Sequence, residues 1–169
     1  MVAHLLMPYE ASTLEFLLKM AAVRFEFDTA ADRWAKSEQR SNPQLVEALG
    51  ATASRKFNVP GAPAEAPLSH MVIHAEDIYR PLGRRHQVSG ECANTVLDQL
   101  TSLRARRALQ PGLLDGVSLI ASDTGWSYGS GAEVAGTASA LITSLAGRPA
   151  ALDELTGPGS ELVRSRLTG

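Results

Sequence analysis

His70-Met71-Val72-Ile73-His74-Ala75-Glu76-Asp77-Ile78-Tyr79-Arg80-Pro81-Leu82-Gly83 is the stretch from which this chain is best read. Leu68, Met71, Val72, Ala75 and Ile78 recur at helical spacing and are expected to face inward, and Pro81 and Gly83 end the helix. Two residues four apart on a helix differ by only about 40° in direction and about 6 Å in height. His70 and His74 therefore leave one face together, a spacing suited to two nitrogens converging on a divalent metal. By spacing alone such a pair is more often a surface coincidence or two satisfied buried rings than a metal site.

Working outward, the first strong periodicity is Leu14, Leu17, Leu18, Ala21 and Phe25, with Glu10, Glu15, Lys19 and Arg24 between them, which predicts one amphipathic helix over residues 9–36. Asn42-Pro43 reads as an N-cap followed by proline at the first helical position, and Leu45, Val46, Leu49 and Ala53 mark the helix behind it. Residues 58–67 hold three prolines and read as a loop. Beyond the histidine helix, Ser89 caps another that runs to about Leu109 on Val96, Leu97, Leu100 and Leu103.

After Pro111-Gly112 the texture changes. Val117-Ser118-Leu119-Ile120-Ala121 is a strand, and a glycine-rich turn over residues 125–131 joins it to a short run at 132–135, as in a hairpin. A helix over residues 136–146, closed by Gly147, and two short helices around Leu152 and Leu162 complete the chain. The expected fold class is α+β, mainly α: a helical bundle over residues 1–110 and a small α/β domain with a β-hairpin over 111–169.

Composition narrows the function classes. The 169 residues are 44% hydrophobic and 20% charged with a net charge of −2, enough chain for a real core. Sixteen basic residues against eighteen acidic ones give no general nucleic-acid footprint, and the local cluster Arg104, Arg106 and Arg107 reads as the solvated end of a helix. A single cysteine, Cys92, excludes an internal disulfide and fits a reducing cytoplasm; it reads as a packed residue near a helix start. No apolar run reaches the length of a membrane span, and residues 1–6 lack the basic flank of a signal peptide before Pro8, Tyr9 and Glu10 interrupt them.

His74-Ala75-Glu76-Asp77-Ile78-Tyr79-Arg80-Pro81-Leu82-Gly83 resembles the His-Gly-(Gln/Glu)-Asp-Ile-Arg-Arg-Pro-Leu-Gly segment of proteins related to mycothiol-dependent maleylpyruvate isomerase, a branch of the DinB-like metal-binding bundles. Ser122-Asp123-Thr124-Gly125-Trp126-Ser127-Tyr128-Gly129-Ser130-Gly131-Ala132-Glu133-Val134-Ala135-Gly136 is similar to the strand-loop-strand of that family's C-terminal domain. Leu145-Ala146-Gly147-Arg148-Pro149-Ala150-Ala151-Leu152 is similar to the helix end that follows it, so the likeness covers nearly the whole chain.

The resemblance implies a three-ligand metal site made of His4, from Val2-Ala3-His4-Leu5, with His70 and His74. Family members usually carry a carboxylate at the position of His70. Three neutral histidines look more like DinB proteins proper and leave more charge on the metal, which favours zinc, with nickel as the alternative. Asp77 follows His74 within a helical turn and is the carboxylate expected to fix an imidazole tautomer behind the ligands. Arg148 matches a family arginine implied to hold a substrate carboxylate. The external thiol implied is mycothiol, whose deprotonated sulfur adds to an activated double bond, allows rotation about the resulting single bond, and is eliminated.

The chain departs from the family pattern in three places. His4 follows Met1 by only three residues, so the first bundle helix of the family has no counterpart before it. Either the true start lies upstream, or a partner subunit such as a second copy in a homodimer covers the exposed face, or the N-terminal segment is rearranged. Pro8 removes the hydrogen bond to the His4 carbonyl, which predicts a kinked or frayed lead-in. Tyr79 stands where the family has arginine, removing one handle for an anionic substrate.

Two function classes stand open from the sequence. One is an enzyme, a metal-dependent isomerase or transferase taking a small-molecule substrate and a low-molecular-weight thiol. The other is a truncated metal-binding scaffold of the DinB-like superfamily without turnover. DNA binding is disfavoured by the charge balance.

Overall fold

The computed structural model describes residues 2–24, 26–56, 63–107 and 109–169. The expectations for Phe25 on a helix face and for a loop over residues 58–62 lie outside the described residues. The protein is α+β and mostly helical, with one small three-stranded sheet among the described residues. None of the described helices is long and apolar enough to cross a membrane. The chain divides into two compact units, the first ending at Pro67 and the second spanning Leu68–Gly169. The second unit thus takes in the histidine helix and its successor, which the sequence groups with the first helices.

The first unit consists of α1 (Val2–Glu10), α2 (Thr13–Ala22), α3 (Phe27–Ser37) and α4 (Asn42–Ala51). α1 is helical through Pro8, so the lead-in carrying His4 is a formed helix rather than a frayed one. The single helix expected over residues 9–36 is broken twice. Ser12 adopts an extended backbone and its hydroxyl accepts from the Glu15 N–H at 3.2 Å, which starts α2 afresh. Arg24 then takes a left-handed φ of 54°, turning the chain so that Phe16, Met20 and Val23 of the α2 end meet Ala30 of α3. The buried face of α2 is therefore not the expected one: Leu14 and Leu18 are 69% and 63% exposed. α2 is apolar on most sides, so periodicity alone does not choose its inner face.

A second cluster joins Ala3 and Leu6 of α1 to Leu45 of α4. The cap of α4 is Ser41 rather than Asn42, with Pro43 one position further in than expected. The Gln44 side-chain oxygen accepts from both the N–H and the hydroxyl of Ser41, each at 2.9 Å. Arg40 reaches back from the α3–α4 connection to grip Glu10 at the end of α1, with Nη1 to Oε1 at 2.7 Å and Nη2 to Oε2 at 2.8 Å. Its Nε also donates to Glu38 at 3.0 Å.

In the second unit, α5 (Ala66–Tyr79) runs into a 3-10 turn at Arg80–Leu82, and Gly83 closes it at a φ of 64°, the left-handed conformation a C-terminal glycine supplies cheaply. The inward stripe of α5 is Ser69, Val72 and Glu76, with Leu68 and Ile73 packed beside it, so a carboxylate occupies a position the apolar pattern does not reveal. α6 (Gly90–Thr101) starts at Ser89, whose hydroxyl accepts from the Cys92 N–H at 3.3 Å. It ends at Thr101, earlier than expected, and Leu103 beyond it is 82% exposed. Ser102 takes an extended backbone there, which breaks the α-helical ladder before Leu103 can reach the core.

The sheet corrects the expected hairpin. β1 (Val117–Ala121) pairs antiparallel with β2 (Ser127–Gly129), which lies inside the supposed turn, and parallel with β3 (Ala132–Gly136), giving the order β2-β1-β3. Between β2 and β3 the chain crosses the start of β1 in two residues. Gly131 makes that crossing feasible: a Cβ there would sit 2.1 Å from the Gly116 carbonyl oxygen. α7 (Ala138–Leu145) follows the Thr137 cap and is buried almost all round, with Leu141, Ile142 and Leu145 in the core against Val96 and Leu97 of α6 and Leu119 of β1. Each such side chain contributes about 1.5–3 kcal/mol through removal from water. A 3-10 segment, Pro149–Glu154, and α8 (Ser160–Thr168) complete the unit, with Val163 buried in the same core.

Candidate functional site

The chemistry-bearing residues of the second unit concentrate on α5 and on the loop after α7. His70 and His74 lie together as their spacing requires, with ring centroids 4.6 Å apart and planes at 82°, an edge-to-face pair. His74 Nδ1 stands 2.8 Å from Asp77 Oδ2, one turn further along the same helix. Asp77 is held in turn from across the unit by Arg148, with Nε to Oδ1 at 3.0 Å and Nη2 to Oδ2 at 2.9 Å. The result is a chain of three partly buried side chains, imidazole to carboxylate to guanidinium.

Electrostatics follow from this geometry. Burial pushes the Asp77 carboxyl upward, but the hydrogen bonds from Arg148 and His74 outweigh it and hold the group below the usual carboxylate range. An ionised Asp77 accepts from Nδ1–H and so selects the His74 tautomer whose Nε2 carries the lone pair. Arg148, expected to hold a substrate carboxylate, has this protein carboxylate as its bidentate partner.

Immediately before Asp77, Glu76 is only 3% exposed and its Oε2 accepts from Arg80 Nε at 2.8 Å. Arg80 also donates to Thr143 Oγ1 at 3.1 Å, to Ser139 Oγ at 2.9 Å and to Glu154, linking the end of α5 to α7 and the 3-10 segment behind it. Sequence reasoning missed this hub. Its one available signal was the Glu76–Arg80 spacing of four residues, which faces an acid and a base on one helical side. These residues line a cavity of about 760 Å³ within the second unit.

His4 sits half-buried on α1 of the first unit. Cys92 is a half-buried free thiol on the first turn of α6, beside rather than within the core that holds Ala93, Val96 and Leu97. Comparison of the chain with protein-family models, with curated proteins and with solved structures gave no match.

Proposed function

We propose that this chain is a DinB-like protein related to the mycothiol-dependent maleylpyruvate isomerases, in which His4, His70 and His74 hold a divalent metal, zinc or nickel, and serve a thiol-using isomerase or transferase. The observation that carries the reading is the His74–Asp77–Arg148 chain. Metal-ligating histidines characteristically give their second ring nitrogen to a carboxylate, and here Arg148 holds that carboxylate in place.

The residues present fit such a metal. Two imidazoles adjoin on one helix face, and the tautomer set by Asp77 leaves the lone pair on His74 Nε2, the atom that would ligate a metal. The third ligand, His4, comes from the sequence resemblance. When bound, a divalent ion at three neutral ligands supplies Lewis acidity that lets a thiol ionise near neutral pH. Asp77 orients the imidazole and balances part of the charge, while Arg148 keeps Asp77 ionised and in place. The substrate and the thiol approach as small molecules; Cys92 has no part in this reading.

One observation favours a metal-binding scaffold without turnover: Arg148 is occupied by Asp77 rather than left to a substrate carboxylate. Incubating the zinc-loaded chain with mycothiol and maleylpyruvate separates the two. Thiol-dependent isomerisation that disappears in His74→Ala supports the enzyme, whereas stoichiometric zinc with no thiol-dependent turnover supports the scaffold.

A further inference from the structure

Thr143, buried on α7, is held by two arginines that both meet α5. Its hydroxyl oxygen accepts from Arg80 Nε at 3.1 Å, and its carbonyl accepts from the Arg148 backbone N–H at 3.1 Å. The same hydroxyl donates to the Ser139 carbonyl at 2.8 Å, so both attachments fall on a fixed turn of α7. Arg148 then returns to α5 through its fork on Asp77, which stands three positions before Arg80. A closed circuit results: Arg80 to Thr143, Thr143 to Arg148, and Arg148 to Asp77 on the helix from which Arg80 projects.

The circuit also sorts charges. Glu76, Asp77 and Glu154 share the lining of one cavity with Arg80 and Arg148. Arg80 donates to Glu76 and to Glu154, which leaves Arg148 to Asp77. Remove Arg80 and Glu76 becomes a buried carboxylate without its cation, a state that a fold relieves by recruiting another cation or by moving the helix end that carries it. Arg148 is a partly buried guanidinium in the same lining, and any carboxylate that draws it away takes it from Asp77. His74 Nδ1 would then face an acceptor that nothing orients.

We propose that Arg80 is a positioning residue for the His74 imidazole: by holding Thr143, Glu76 and Glu154 it keeps Arg148 on Asp77, and so keeps the His74 proton on Nδ1. The inference rests on the metal reading only for its consequence, that Nε2 is the atom left to ligate an ion. The tautomer itself is measured with no metal bound.

Nitrogen–proton correlation spectra of the metal-stripped full chain, recorded in one alkaline buffer, report which nitrogen of His74 carries the proton. Wild type should show Nδ1–H as the major form. Glu76→Gln/Arg80→Met removes the buried ion pair together, leaving no lone buried charge, and should make Nε2–H the major form. Thr143→Val deletes the hydroxyl while its carbonyl still accepts from Arg148; it should shift the balance the same way and stands in if the double variant does not fold. Val163→Ala, in the same core on α8 but outside the circuit, should lower stability and leave His74 as in wild type. Added to Arg148→Ala, the double substitution should change His74 no further, because Arg80 acts through Arg148. Zinc affinity should fall about tenfold or more in step with the tautomer. A wild-type chain that binds no zinc would refute the metal reading and leave the tautomer result standing. Unchanged His74 signals in the Arg80 and Thr143 variants, an equal change in Val163→Ala, or a further change in the Arg148→Ala background would overturn the proposal.

Discussion

Arg148 grips Asp77 in a two-bond fork, Nε to Oδ1 at 3.0 Å and Nη2 to Oδ2 at 2.9 Å, and Asp77 passes that constraint to His74 Nδ1 at 2.8 Å. Arg148, 71 positions from Asp77 in sequence, thereby fixes the carboxylate that selects the tautomer of the His74 imidazole.

If the proposed three-histidine metal site exists, substituting Arg148 should change its affinity through Asp77 and His74. Arg148→Ala is expected to lower zinc affinity about 10–100-fold, the range found when partners behind metal ligands are removed. Arg148→Lys should rescue little of this, since an ammonium cannot reproduce the planar fork. Zinc competition against a chromophoric chelator measures both. Wild-type affinity in Arg148→Ala would separate the fork from the metal site.

Acid sensitivity in the first unit should arise in part from Glu38. Hydrogen bonds from Arg40 lower its carboxyl from an ordinary 4.5 to about 2. A depressed folded-state value gives stability that is fully present above about 4.5 and is lost as pH falls toward about 2. In urea titrations at stepped pH, Glu38→Gln should be less stable than wild type at pH 6 and converge with it near the acid end. A gap that stays constant across the range would contradict the assignment.

The crossing over β1 makes Gly131 the most demanding backbone position in the sheet. Gly131→Ala places a methyl group 2.1 Å from the Gly116 carbonyl oxygen, so the β2–β3 connection must shift. A loss above about 2 kcal/mol is expected in the denaturant midpoint, against the few tenths typical of an exposed alanine substitution. A near-neutral result would show that the strand order is not as described.

The end of α6 can be checked by contrast. Leu97→Ala empties a fully buried position and should cost about 2–5 kcal/mol. Leu103→Ala, six residues later and 82% exposed, should stay within about 0.5 kcal/mol. Comparable losses at both would restore the longer helix.

The parts legible in sequence are those fixed by local rules. The His70–His74 adjacency follows from helical geometry, the starts of α6 and the ends of α5 and α7 from Ser89, Gly83 and Gly147, and β1 from its branched residues. Long-range features were not legible. Nothing in Ser127-Tyr128-Gly129 says that it pairs with β1 while Ala132 onward passes to the other edge, because pairing partners are chosen by burial of whole faces. The role of Glu76 is not visible in sequence, because a buried carboxylate makes sense only where Arg80 meets it, and the pairing of Arg148 with Asp77 exists only in the tertiary fold. The outward turn of Leu14 and Leu18 depended on the break at Arg24, a left-handed residue with no glycine to announce it.

Zinc stoichiometry and affinity of the full chain, compared among wild type, His4→Ala, His70→Ala and His74→Ala, decide whether the three histidines share one ion. About one tightly held ion per chain is expected, with a loss of at least about 100-fold in each of the three variants and the fold retained. A wild-type chain that takes up no zinc or nickel, or variants that bind as wild type does, would contradict it.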